Sequence, residues 1–547
     1  MLRIAPGPPW LHAIVTGRDD EPGLAVAVVR GGEVVERCVG LASLRPRRPI
    51  ESTTRFHVVS VSKTFLAATI LDLAARGALR LDDDVRRHLP ELPSGLSRDP
   101  VTIRHLLSMT SGLRDVLEVE RLRGVWTPSA SRRAELLELA FAQTSVSAPP
   151  GAQYMYANVN ALLLEELAGR VGGAAAERIR AERLYGPLGL THTGARDHDG
   201  PPEPDLAEPY VADGAGHWTR AVDLLGISAD PLTTSLGDLT RWVLALGAGS
   251  VAGIDVRAMA EPTRLSDGTA IYYGLGLAVR RYRGLTVLCH TGSQPGYKCH
   301  VAFVPARDVA VVVLSNREDT RPTALAAAVI ESVVGGDLPA SVDARQRLAS
   351  CGLTDGQLAS IPGTYVDEES GEWLALAFED GVLRGEALGD PLCLYAERDG
   401  TFRDGDDYRA TAPAELRFQF GNREDDVTAR LTLGGLRAQL RKQWRPPPST
   451  DALREFAGRY ESGEMGSRHT VEVRDGALAI TYGDRGGGRR GPFPLAPVAP
   501  DVFLAEPAAP GIAYRHVFRF ERDRTGVVSC ARVTMERLKG VPLHRVD

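Results

Sequence analysis

Apolar residues recur at helical spacing through Phe65, Leu66, Ile70, Leu71, Leu73 and Ala74, and the run stops at Gly77. This predicts a helix that starts near Ser60 and ends at a glycine able to take the left-handed conformation. Farther on, apolar stretches at residues 285–289, 300–304 and 309–314, with a Pro305-Ala306-Arg307-Asp308 turn before the last, predict a hairpin at the edge of an antiparallel sheet. Beyond residue 335 a period of two takes over. Gly363-Thr364-Tyr365 recurs as Gly458-Arg459-Tyr460, and Asp380-Gly381 recurs at the same offset as Asp475-Gly476. The repeat predicts two small antiparallel β-barrels, each ending in an alternating strand, residues 416–420 and 516–520. Gly335-Gly336-Asp337-Leu338-Pro339 and the proline-rich stretch at 445–450 mark the breaks. The expected division is 1–338, 339–446 and 447–547.

A chain of 547 residues with 43% hydrophobic positions can bury more than one core. Its net charge of −6 shows no basic excess, so nucleic acid is not an expected partner. The start lacks a basic and apolar leader, and no stretch approaches the roughly 18 uninterrupted apolar residues of a membrane span. A cytoplasmic protein with no membrane partner is expected. Six scattered cysteines without a Cys-x-x-Cys pair read as reduced thiols. Cys289-His290 and Cys299-His300 do not read as a zinc site, because neighbours on a strand face opposite ways. No metal and no cofactor is expected.

The chemistry is carried by scarce residues. Lysine occurs only at positions 63, 298, 442 and 539, although Lys plus Arg total 64. Arginine serves wherever charge alone is needed, so Lys63 calls for a chemical reason: lysine can give up its proton and arginine effectively cannot. Ser60 lies three residues before it, on the same helix face, where Lys63 can take a proton from the hydroxyl. Taken alone, the pair is explained better by an ordinary capping serine. Asparagine is as rare, and Tyr156-Ala157-Asn158 puts a phenol and a carboxamide two apart, pointing the same way in an extended segment. In the third element, His290-Thr291-Gly292-Ser293, Gly292 lets a substrate backbone come close, and the Ser293 N–H can join that of Ser60 as an oxyanion hole.

With these three elements in order, the chain resembles the serine β-lactamase and penicillin-binding protein superfamily, in the branch of class C β-lactamases, esterases and D-aminopeptidases. Ser60 to Lys63 matches its Ser-x-x-Lys, Tyr156 to Asn158 its Tyr-x-Asn, and His290-Thr291-Gly292 stands where the family has Lys-Thr-Gly. The resemblance implies an α/β catalytic domain, an antiparallel sheet flanked by helices with a helical subdomain, ahead of the two barrels. It also implies a serine hydrolase with Ser60, Lys63, Tyr156 and His290 as catalytic residues and Asn158, Gly292 and Ser293 binding substrate. The two-barrel tail is similar to that of D-aminopeptidases, in which a loop of the last barrel offers a carboxylate to the substrate's ammonium; here that loop carries Glu506. A homodimer is implied by resemblance alone.

Covalent acyl transfer is the expected mechanism, with Lys63 or Tyr156 as the base toward Ser60 and Tyr156 returning a proton to the leaving group. The expected substrate is a short peptide, amide or ester. A neutral histidine at 290 weakens attraction for a substrate carboxylate and argues against β-lactamase or carboxypeptidase specificity. The resemblance implies first a D-aminopeptidase or D-amino-acid amidase that releases N-terminal D-residues; the alternatives are a carboxylesterase and, after it, a D-Ala-D-Ala carboxypeptidase or β-lactamase, or a non-catalytic binding protein on the same scaffold.

Overall fold

A computed structural model describes the chain from residue 3 to 547, apart from residues 7, 126–131, 196–202, 214–215, 222–230, 339–342, 388–389, 406–411, 423–425, 443–448, 485–488, 506–507, 510–511 and 514. Most of the linker expected at 445–450, and the tip of the glycine-rich loop after Asp484, therefore lie outside the described residues.

The first part is built on a seven-stranded sheet in the order Arg3–Pro6, Glu33–Val39, Leu24–Arg30, Val309–Ser315, Tyr297–Val304, Leu285–Gln294, Ala278–Tyr282. All neighbours are antiparallel except the first pair. The predicted hairpin is present but sits one strand in from the edge, which Ala278–Tyr282 forms. Its strands are also longer than the apolar stretches, so that His290, Thr291 and Gly292 lie inside a strand.

The central strands are buried on both faces, and their period of two sorts side chains into two cores. Ala25, Ala27, Ala310, Val312 and Leu314 pack with Phe65 and Trp242 on one face. Val26, Val28, Val309, Val311 and Val313 pack with Val329 and Ile330 of the helix Pro322–Val334 on the other. Each buried valine, leucine or isoleucine among them contributes about 1.5–3 kcal/mol by leaving water.

Ser62–Ala75 is the helix the sequence pattern predicts, and it is buried on nearly every side. A helix apolar all round belongs inside a core. Phe65 stacks on Trp242 with ring centroids 3.7 Å apart, and Trp242 Nε1 donates to Thr64 Oγ1 at 2.8 Å. These contacts fix the helix against Leu236–Gly247, and with it the turn that carries Ser60. Among the described residues no helix is long and apolar enough to cross a membrane.

The rest of the chain forms two closed antiparallel barrels of eight strands, one running from Gly363–Val366 to Leu436–Lys442, the other from Gly458–Ser462 to Leu538–Arg545. The repeat is physical as well as textual. Tyr365 donates its hydroxyl to Ile361 O at 2.7 Å, and Tyr460 does the same to Phe456 O at 2.8 Å. Asp380-Gly381 and Asp475-Gly476 both adopt positive φ, the condition of the tight turn that best matches strand twist. The alternating strands at 416–420 and 516–520 are not the ends of their modules, since each is followed by two more strands that close the barrel.

Both barrels touch the first part close to Tyr156. Gly434 O of the first barrel accepts from Tyr154 N at 2.8 Å. Arg537 O of the second accepts from Asp115 N at 3.1 Å. The nearly buried Arg114 pairs with Glu464 of the second barrel at 2.8 Å.

Candidate active site

Ser60 sits in a short 3-10 turn, Val59–Val61, directly ahead of the buried helix. Val59 has φ 47°, a left-handed conformation that a β-branched residue adopts only at a cost in strain. The turn is held by its neighbours: Val58 N donates to Leu232 O at 3.1 Å, Val58 O accepts from Cys299 Sγ at 2.9 Å, and Val61 N donates to Val58 O at 3.0 Å. Strain at this point brings the Ser60 amide against the sheet. A Cβ built on Gly292 would lie 3.2 Å from Ser60 N, 2.3 Å from Val58 O and 2.5 Å from Cys299 Sγ. Only glycine fits there.

Lys63 comes back over Ser60 from one helical turn later. Its Nζ donates to Ser60 Oγ at 3.0 Å and to Asn158 Oδ1 at 3.2 Å, and the side chain is nearly buried. Asn158 opens the helix Asn158–Gly172, and Ala157 before it is extended, which carries Tyr156 and Asn158 to the same site. The Tyr156 ring lies 5.3 Å from Lys63 Nζ and 6.4 Å from the His290 ring.

His290 is buried. Its Nδ1 faces the carbonyl oxygen of Thr291 at 3.0 Å, which must accept, so Nδ1 carries the proton and Nε2 accepts from Tyr273 Oη at 3.1 Å. Burial first, then the charges of Lys63 and Arg280, hold its pKa down at about 3. It therefore stands neutral at neutral pH, with both ring nitrogens engaged by the protein. Ser293 accepts from Lys298 Nζ at 2.8 Å, and that lysine pairs with Glu318 at 2.7 Å.

Ser60, Lys63, Tyr156, Asn158, His290 and Gly292 thus converge, and Ser293 lies next along the strand. Glu506 lies outside the described residues. Three further residues build the site without having been visible in the sequence. Asp115 is fully buried and accepts from both Asn158 N (2.5 Å) and Asn158 Nδ2 (3.0 Å). Tyr273 orients His290. Arg537, from the last hairpin of the second barrel, lays its guanidinium 5.2 Å from the Tyr156 ring centroid. Tyr273 opens the stretch Tyr273-Gly274-Leu275-Gly276-Leu277 and Arg537 the stretch from 537 to 545, both of which read only as family-like, and Asp115 gave no local signal at all.

A serine hydroxyl in contact with an amine, a phenol ring beside that amine and a glycine opening the strand opposite fit a serine hydrolase with a beta-lactamase-like fold. The chain belongs to the beta-lactamase family, whose model, described as "Beta-lactamase", matches residues 11–334. Among curated relatives, it is 28% identical over 487 residues to a D-aminopeptidase of Cereibacter sphaeroides, covering 88% of this chain and 87% of that one. It is 26% identical over 551 residues to a D-aminopeptidase of Brucella anthropi, covering 96% of both. Among solved structures, the octameric penicillin-binding protein homologue from Pyrococcus abyssi aligns with a TM-score of 0.54 at 21% identity, covering 77% of this chain and 96% of that one.

Proposed function

We propose that the protein releases D-amino acids from the N-terminus of short peptides or amides, through an acyl-enzyme on Ser60. The observation that carries the chemistry is the 3.0 Å contact between Lys63 Nζ and Ser60 Oγ. Two further points support the substrate class. The similarity to D-aminopeptidases extends over both barrels as well as the catalytic part. His290 is neutral, so it offers a substrate's carboxylate no positive charge at its position on the strand.

In the first half-reaction Ser60 Oγ bonds to the substrate carbonyl carbon while its proton passes to Lys63 in its unprotonated form, the base in contact with it, with Tyr156 the alternative base. The oxyanion is held by the N–H groups of Ser60 and Ser293, across the gap that Gly292 leaves open. Collapse of the adduct breaks the C–N bond, and the leaving amine takes a proton from Tyr156. Asn158 donates to or accepts from the substrate amide. Lys63 passes the serine proton on to Tyr156; water then attacks the ester carbonyl, Lys63 takes its proton and hands it to Ser60 Oγ as the freed acid leaves. All six cysteines are free thiols, which fits the cytoplasmic location we assign to this activity; a homodimer belongs to the same reading, and sizing in solution tests it.

Turnover of D-alanine p-nitroanilide, its L isomer and short-chain p-nitrophenyl esters, measured side by side with Ser60→Ala as control, tests the function. D-Anilide turnover that disappears in the alanine variant is expected. Ester cleavage with no D-anilide turnover would make the protein a carboxylesterase, and full activity in the alanine variant would remove Ser60 from the mechanism.

A further inference from the structure

The second barrel closes with a hairpin between Val528–Met535 and Leu538–Arg545, in which Met535 pairs with Leu538 across a turn of two residues, Glu536 and Arg537. Neither turn residue has a positive φ. Turns of this length match strand twist best when they do, so this one departs from the relaxed form. A register shift between Val533 and Met535 supplies the extra twist, and the tip is tied down from outside by the Asp115 N–H, which donates to Arg537 O. Lys539 N, two residues on, donates to Ser147 Oγ at 3.2 Å. The tip is thus docked on the catalytic part at Arg537 and again two residues after it.

What the docking delivers is a guanidinium against the Tyr156 ring, on which Lys63 also bears. A cation within about 6 Å of an aromatic centroid is attracted by the ring's quadrupole, more strongly where water is excluded. The carbonyl of the same arginine is bonded to the N–H of Asp115, whose carboxylate holds Asn158. One residue of the last barrel therefore reaches both members of the Tyr156–Asn158 pair, one by its side chain and the other through a single intermediary. Arg537 also acts, with Arg121, Glu536 and Asp115, on the charge of the buried Glu118.

We propose that Arg537 is a positioning residue for Tyr156: the second barrel supplies it to hold the phenol where it can protonate the leaving amine. This rests on the reading of Tyr156 given above. Loss of the guanidinium slows the step that needs the phenol's proton and spares a step that does not. An anilide leaving group must be protonated, whereas p-nitrophenolate departs without a proton.

The test is kcat and KM of Arg537→Met, Arg537→Lys and Tyr156→Phe on D-alanine p-nitroanilide and on the p-nitrophenyl ester of D-alanine, in the full chain. Tyr156→Phe should lose anilide turnover far more than ester turnover; if it loses both alike, the reading of Tyr156 fails and the inference falls with it. Given that selectivity, Arg537→Met should lower anilide kcat about tenfold, with KM and ester kcat within about twofold, the scale of one cation–ring contact. Arg537→Lys, which restores a cation, should recover most of the loss. Equal loss on both substrates, or a rise in KM alone, would overturn the proposal, the first assigning Arg537 to barrel docking and the second to substrate binding. Adding Arg537→Met to Tyr156→Phe should change anilide kcat no further; an additive loss would also overturn it.

Discussion

Asp115 sets the direction in which Asn158 faces: by accepting from both the backbone N–H and Nδ2 of Asn158, it leaves Oδ1 as the atom presented to Lys63. A carboxamide is symmetrical in shape and ambiguous in polarity, so some partner must decide its orientation. Here that partner is fully buried and also caps the helix Val116–Leu122 through Leu117 N at 2.8 Å.

Asp115→Asn keeps one oxygen, which cannot serve both Leu117 N and Asn158; where it caps Leu117, it turns an NH2 on Asn158. The Asn158 amide should then rotate and turn its NH2 toward Lys63, and kcat should fall about tenfold, the weight of a charged hydrogen bond of about 1.5–3 kcal/mol. Asp115→Asn combined with Asn158→Ala should be no worse in kcat than Asn158→Ala alone. An additive loss would mean that Asp115 acts through something other than Asn158.

Gly292→Ala tests how tightly the nucleophile's turn is packed on the sheet. The added methyl meets Val58 O and Cys299 Sγ well inside contact distance, and Val58 and Val59 cannot retreat without losing the turn that presents Ser60. Activity should drop by two orders of magnitude or more, on the scale of a lost oxyanion donor. Labelling of Ser60 by a fluorophosphonate, followed by mass, should slow in parallel; undiminished labelling would place the damage in substrate binding.

The sequence showed what is local. Ser60 and Lys63 lie one turn apart on a helix whose apolar spacing was plain, and Tyr156 and Asn158 lie two apart at the start of another. The barrels were legible for the same reason, as a repeat of Tyr365 in Tyr460 and of one tight turn in another. What could not be read is everything that depends on the packing of distant segments. Asp115 and Asn158 are 43 residues apart, and Arg537 comes from a different domain, so neither leaves a spacing to recognise. The position of the hairpin one strand in from the sheet edge was hidden likewise, since Ala278–Tyr282 is too short and polar to stand out.

Docking of the first barrel should matter to activity through Tyr154. The Gly434-Gly435 turn has φ of 50° and 89°, and a Cβ on Gly435 would lie 2.2 Å from Ala152 O. Gly435→Ala therefore strains the turn and pushes it off the segment that leads to Tyr156. Faster hydrogen exchange at 152–156 together with a lower kcat is the expected result. Unchanged exchange there would show that the segment holds its place without the barrel.

Acid should destabilise the protein through buried histidines. Burial holds His290, His469 and His516 at pKa values of about 3, against 6.5 when exposed. Below pH 6.5 the unfolded chain therefore takes up protons that the folded chain refuses, so stability falls as pH falls and levels off only near 3. His469 is the cleanest probe, because it lies inside the second barrel, edge-on to Tyr482 at 5.4 Å, and neither ring nitrogen has a hydrogen-bond partner among the described residues. His469→Phe keeps the edge contact and removes the titration. Urea melts at pH 7.5 should give similar stabilities for the two proteins, whereas at pH 5 the variant should gain about 2 kcal/mol on the wild type, from roughly 1.4 kcal/mol per pH unit below 6.5. Parallel stability curves from pH 7.5 to 5 would mean that this histidine is already protonated in the folded barrel, or that acid opens the barrel before the rest of the chain unfolds.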